Sequence, residues 1–213
     1  MVRPHVFPGD CSNTLLPLFP LDVVLFPGSP LPLHIFEPRY KEMIGECLTN
    51  NAVFGVVRAV ENGFASVGCT AEILTVTKKY DDGRMDIITE GRGRFEVLEL
   101  NRERSFLQAE VVMLEADSEA APAESRKRAI ELHADILSIA GAVQDVSTAA
   151  PETLSFHLAA SLPLDLDFKQ TLLALHSEGE RISTLISYLE ALLPKVQRAS
   201  RARQVAGGNG HAH

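Results

Sequence analysis

The sequence predicts an α+β fold: a small β-barrel with one helix inserted early, followed by a C-terminal helical bundle. Three observations carry that prediction. Near residue 117 the apolar residues change from the alternation of strands to the spacing of helices. Asp81-Asp82-Gly83 separates two β-rich runs, a hairpin signature. A single helical period interrupts the strand-rich half, just after Pro38.

Each element follows from its local pattern. Leu15–Phe26 is apolar but broken by Pro17, Pro20 and Asp22, and no small-residue cleavage site follows, so it reads as structure rather than as a signal peptide. Pro38 suits a first helical position, where its missing N–H costs nothing. Tyr40, Met43, Ile44 and Cys47 then recur at helical spacing down to about Asn50. Val53–Val60 is apolar on both faces, as in a strand covered on both sides. Ala71–Tyr80 and Arg84–Glu90 form the hairpin, and Gly91-Arg92-Gly93 interrupts before a further strand, Arg94–Leu100. Leu107, Ala109, Val111 and Met113 alternate with Gln108 and Glu110.

Asp117–Ser125, rich in Ala, Glu, Ser and Pro, reads as a link. Beyond it, Ile130, His133, Ala134, Leu137 and Gly141 mark one helix, and Pro151 opens a second that runs to Ser161. Leu162-Pro163 breaks the pattern, and Asp165 is placed to cap a third helix, Phe168–His176. Gly179 is expected in the turn before the last helix, whose apolar stripe runs from Ile182 through Leu185, Leu189 and Leu193 to Val196. Such a stripe packs in a bundle core or docks a partner. The expected division is a barrel over 12–116, a bundle over 117–197 and a flexible basic tail over 198–213.

Composition bounds the function. With 46% hydrophobic and 23% charged residues the chain is globular rather than disordered. At 213 residues it forms one domain or two small ones, able to bury about 70% of its unfolded surface without disulfides or metal. No apolar stretch approaches the roughly 20 residues of a membrane span. The net charge of −8 argues against a general nucleic-acid binder. That charge is uneven: Lys195–His213 carries +4 and leaves −12 on the remainder. An RNA-binding alternative would therefore use the barrel together with this basic tail. Cys11, Cys47 and Cys69 are odd in number and lack C-x-x-C spacing, so they read as reduced thiols, as in a cytoplasmic protein.

Few residues suggest chemistry. Gly91-x-Gly93 lacks the third glycine and following helix of a nucleotide loop. No G-x-S-x-G elbow is present. His34 and Glu37 would lie on opposite faces of an extended segment, which favours a structural role over an acid/base or metal pair. His133, His157 and His176 stand singly on expected helices, and His211 and His213 lie in the tail. Arg126-Lys127-Arg128 reads as a solvated face. No cofactor or metal site is expected. The segment Phe19–Tyr40 is the more informative surface. Most of its aromatics must be core, and any left exposed would form a patch for an extended or unfolded peptide. The candidate partner-binding residues are Phe19, Phe26, Phe36, Arg39 and Tyr40.

The same segment carries a family resemblance. Leu16-Pro17-Leu18-Phe19-Pro20-Leu21, Val23-Val24-Leu25-Phe26-Pro27-Gly28 and Leu31-Pro32-Leu33-His34-Ile35-Phe36-Glu37-Pro38-Arg39-Tyr40 resemble the opening of the Lon protease N-terminal domain, in the form of its stand-alone bacterial members. Glu90-Gly91-Arg92-Gly93-Arg94-Phe95 is similar to that family's Gly-x-x-Arg-Phe junction. Leu162-Pro163-Leu164 and Lys169-Gln170-Thr171-Leu172-Leu173 are similar to its helical part. The resemblance spans roughly residues 14–197. It implies a PUA-like pseudo-barrel followed by a helical bundle, and recognition of unfolded or specific protein segments, as an adaptor for a separate protease or chaperone. It does not imply catalysis. The chain has no G-x-x-x-x-G-K-[ST] phosphate loop, and the stretch after the bundle is too short for a protease module, so a non-enzymatic protein is expected.

Overall fold

The computed structural model describes residues 15–115, 119–144 and 149–208. The elements run β1 (Leu16–Leu21), β2 (Pro30–Ile35), α1 (Pro38–Asn50), β3 (Phe54–Val60), β4 (Gly63–Phe64), β5 (Val67–Lys79), β6 (Met85–Asn101), β7 (Leu107–Met113), α2 (Ala123–Ile139), α3 (Leu154–Ser161), α4 (Leu166–Ala174) and α5 (Glu178–Gly208).

The strands close on themselves in the order β1-β7-β6-β5-β3, and β1 returns to pair with β3. The closing pair is parallel (Leu18 opposite Gly55), whereas the other ladders are antiparallel. The long strand β6 holds two partners in succession on one side. Its first half pairs with β2 and its second half with β7. The expected α+β fold is thus present, a pseudo-barrel carrying one inserted helix ahead of a helical part.

Local chemistry accounts for the elements. Pro38 occupies the first turn of α1, and Asn51 ends that helix in the left-handed region at φ 50°. Tyr40, Met43, Ile44 and Cys47 face the barrel with Phe19, Ile35 and Phe54, and each such side chain contributes about 1.5–3 kcal/mol on burial. The β5–β6 hairpin turns at Gly83, whose φ of +81° favours glycine. Asp165 Oδ1 accepts from the Asp167 and Phe168 N–H groups at 2.9 and 3.2 Å, the expected cap of α4.

Several boundaries differ from expectation. Gly91-Arg92-Gly93 does not divide two strands; β6 passes through it unbroken. Gly91 is instead a point of close approach: Gly28 N–H donates to its carbonyl at 2.8 Å, and its own N–H donates to Ser29 O at 3.0 Å. A Cβ there would stand 2.2 Å from Phe26 O. Pro151 sits in a turn before α3, and Gly179 lies in the first turn of α5. The expected tail is helical as far as Gly208, because its Arg, Ala and Gln residues are good helix formers and α5 is already nucleated on the bundle. Pro194 is accommodated within this helix. The expected barrel start at residue 12 and the junction at 116–117 fall outside the described residues, as does the end of the tail, 209–213.

The helical half packs Leu132 and Ile136 of α2, Phe156 and Leu158 of α3, and Leu185 and Leu189 of α5 into one core. Phe26 and Val67, from the barrel half, belong to this same core. The two halves therefore share apolar burial.

Candidate functional site

The five candidate recognition residues separate into two groups. Phe19 and Tyr40 are buried between α1 and the barrel, with ring centroids 4.0 Å apart. Phe26 is 1% exposed and stacks on Phe156 at 5.2 Å. Phe36 is 58% exposed. Arg39 is half-exposed, with its guanidinium on the Glu37 carboxylate at 2.8 Å and over the Tyr40 ring at 4.6 Å. Only Phe36 and Arg39 are thus accessible, at the junction of β2 and α1.

Phe36 has defined neighbours. Its ring stacks on His34 at 5.9 Å, and Tyr80 meets His34 edge-on at 5.8 Å. His34 Nδ1 lies 2.5 Å from Asp86 Oδ1, and Tyr80 O–H donates to Asp86 Oδ2 at 2.9 Å. These two hydrogen bonds, that from His34 foremost, hold the Asp86 carboxyl below the usual carboxylate range. Lys78 and Arg84 stand over the Tyr80 ring at 4.5 and 4.9 Å. His34 therefore pairs with Asp86, and Glu37 with Arg39, rather than with each other. The surface is an apolar ring set beside immobilised polar and cationic groups.

The adjoining sheet edge is guarded. Gly91 N–H donates to Ser29 O, so alternate residues from Ser29 onward face β6, and Pro30, Pro32 and His34 turn their main chain outward. That edge presents three carbonyls and one N–H. The far half of β5 has no second strand partner among the described residues beyond Ala71, and its register shifts at Ile73/Thr75 and Val76/Lys78. Prolines and bulges are devices that oppose strand addition.

The joint between the halves is the second organised region. Arg94 is buried and donates to Leu173 O at 3.0 Å and Leu175 O at 2.6 Å, both at the end of α4. Arg181, also buried, donates to Leu175 O and His176 O at 3.1 and 2.9 Å and pairs with Glu178 at 2.9 Å. Its guanidinium lies 4.4 Å from the Phe156 ring centroid. Arg58 reaches Asp167 at 2.6 Å, and Gln170 Nε2 donates to Val67 O at 2.9 Å.

Two adjoining cavities open beside this joint, where the β1–β2 loop faces the helices. One, about 550 Å³, is lined by Pro27, Gly28, Gln144, Thr153, His157 and Ser161 among others. The other, about 210 Å³, is lined by Val23, Val24, Phe26, Leu31 and Lys169 among others. Both include Ser29, Pro30 and Ala160, so they form one groove. Sequence reasoning missed this groove, since its walls come from segments far apart in the chain.

The remaining candidates are structural. His133 Nε2 lies 2.7 Å from Ser161 Oγ, and His157 Nε2 lies 3.1 Å from Gln144 Nε2. Among the described residues no group of three His, Cys, Asp or Glu could hold a metal ion. Burial pushes the Cys47 thiol up to about 11 and the Cys69 thiol up to about 12, so neither is poised as a nucleophile. Cys11 lies outside the described residues. Arg128 of the basic run pairs with Glu190 of α5 at 2.8 Å. No described helix is long and apolar enough to cross a membrane.

Comparison with known proteins agrees with this architecture. Residues 15–191 match the family model described as the ATP-dependent protease La (LON) substrate-binding domain. Lon protease of Buchnera aphidicola is 24% identical over 88% of this chain, and Lon protease 1 of Hydrogenovibrio crunogenus 26% identical over 84%. The chain spans only 26% and 24% of those two proteins. Among solved structures, the Lon N-terminal domain protein from Xanthomonas campestris aligns with a TM-score of 0.68 at 26% identity, covering 82% of this chain and 98% of that one. The N-terminal domain of Mycobacterium avium complex Lon protease shares the fold, with a TM-score of 0.60 at 18% identity over 83% of this chain and 98% of that one. With the family model matched over most of its length, the chain belongs to the Lon substrate-binding domain family.

Proposed function

We propose that the protein is a non-enzymatic recognition module, with a barrel subdomain over 12–116 and a bundle over 117–197, that binds unfolded or otherwise exposed segments of other proteins. Its role is that of an adaptor delivering them to a separate protease or chaperone in the cytoplasm. The observation that carries this reading is the exposed Phe36 ring, in a segment whose other phenylalanines are buried, within a family named for substrate binding. Phe36, three residues before Arg39 and stacked on His34, which Tyr80 meets edge-on, supplies an apolar anchor in a neighbourhood that carries cations. Phe19 and Tyr40 act as packing residues between α1 and the barrel, and Phe26 as one in the core shared with the helices.

The test is titration of the full chain with a reduced, carboxymethylated model protein. Saturable binding at tens of micromolar is expected, and Phe36→Ser weakens it roughly tenfold with an unchanged melting midpoint, since the ring is already in water. Equal binding by the wild type and F36S removes Phe36 from the site, and no binding by the wild type overturns the function. Treatment with nuclease is expected to leave binding unaffected, which distinguishes it from the RNA-binding alternative.

A further inference from the structure

Resting on that reading, we propose that the groove between the β1–β2 loop and helices α3 and α4 takes the carboxy-terminal residues of an extended polypeptide. The terminal carboxylate lies on Lys169, and an apolar last side chain sits between Val24 and Leu31.

Shape is the first argument. Two cavities of about 550 and 210 Å³ adjoin along a wall of Ser29, Pro30 and Ala160, which gives room for more than one residue of an extended chain. The smaller of the two has the volume for a single residue. Charge is the second. Val23, Val24, Leu25, Phe26 and Leu31 give the smaller end apolar walls, and Lys169 is its one charged lining residue. The Lys169 amine is partly desolvated, which lowers its pKa, and no carboxylate among the described residues pairs with it. A chain terminus offers the complement, an apolar side chain and a carboxylate on one Cα. An internal Asp or Glu would meet the amine but bring no second, apolar side chain from the same Cα.

The test uses the full chain and a fluorescein-labelled Gly/Ser-rich decapeptide ending in Val-Leu, as free acid and as amide. Fluorescence anisotropy is expected to show the acid binding roughly tenfold more tightly than the amide. Lys169→Met, which keeps the aliphatic stem, brings the acid down to the amide's affinity and leaves the amide unchanged. Ala160→Glu, which puts a carboxylate on the shared wall, removes binding of the acid. The wild-type comparison of acid with amide needs no variant and stands even where a substitution perturbs folding. Equal affinity for acid and amide in the wild type, or an undiminished preference in K169M, overturns the proposal. Binding of the carboxymethylated model protein without any acid preference defeats this proposal alone, whereas failure of both ligands defeats the recognition function with it.

Discussion

Replacing Arg94 with methionine tests how the two halves are held together. The substitution retains an aliphatic stem and removes a guanidinium that is nearly excluded from solvent. Two short bonds are lost, to Leu173 O at 3.0 Å and Leu175 O at 2.6 Å. Two longer contacts, to Glu115 O at 3.5 Å and His176 O at 3.4 Å, add little. A hydrogen bond from a charged donor contributes about 1.5–3 kcal/mol. Two effects reduce the sum. Arg181 still donates to Leu175 O and His176 O, so those carbonyls keep a partner. Methionine also buries without desolvating a cation. The net loss is about 2–4 kcal/mol. For a chain of this size each kcal/mol lowers the melting midpoint by roughly 2–4 °C, giving a fall of about 5–15 °C. Circular dichroism during heating measures that fall, and urea titration is expected to show a lower midpoint at unchanged slope. Arg94→Lys recovers only part of the loss, because one ammonium cannot reproduce the planar fork. A midpoint within about 2 °C of the parent in R94M would refute the reasoning, because the joint would then not depend on this side chain.

Two further predictions concern backbone fit and protonation. Gly91→Ala places a methyl 2.2 Å from Phe26 O, a main-chain atom that cannot rotate away, so the urea midpoint falls by an amount equivalent to about 1–3 kcal/mol; an unchanged midpoint counts against the close approach. Burial, and secondarily the charge of His157, lowers the pKa of His133, so the folded state favours its neutral ring. Its stabilising contribution is present above the unfolded pKa of about 6.5 and is lost as pH falls toward the folded value. Unfolding free energy is therefore expected to decline from pH 7 to pH 5, and His133→Asn to reduce that slope; parallel pH profiles for the two proteins contradict the assignment.

What the sequence made legible was local. Pro38, Asp81-Asp82-Gly83 and Asp165 each act within a few residues, and each stands where its own chemistry puts it: first helical turn, hairpin and N-cap. Fates decided at long range were not legible. Phe26 and Phe36 occupy the same apolar, proline-rich segment, yet one enters the core of the helices and the other faces water. The difference depends on α3, more than a hundred residues downstream, which covers Phe26 and not Phe36. Arg94 was part of the family resemblance, but its task depends on the carbonyls at the end of α4, which no strand pattern reveals. Lys169 reads in sequence as an ordinary helical lysine, and its placement in a groove follows only from the docking of α4 beside the β1–β2 loop. The glycine-rich end of 198–213 signals a flexible tail, whereas the Arg, Ala and Gln residues before those glycines favour helix, and α5 continues to Gly208.

Pro30 and Pro32 also govern how the molecule meets itself. A row of carbonyls with almost no donors cannot zip onto an identical row on a second copy, because carbonyl would face carbonyl. Crowding such molecules together should raise viscosity before it seeds ordered sheet growth. An extended chain laid against β2 would likewise find one donor among three acceptors, a poor template for fibril growth. Two imino acids thus make the β2 edge beside Phe36 a poor nucleation site.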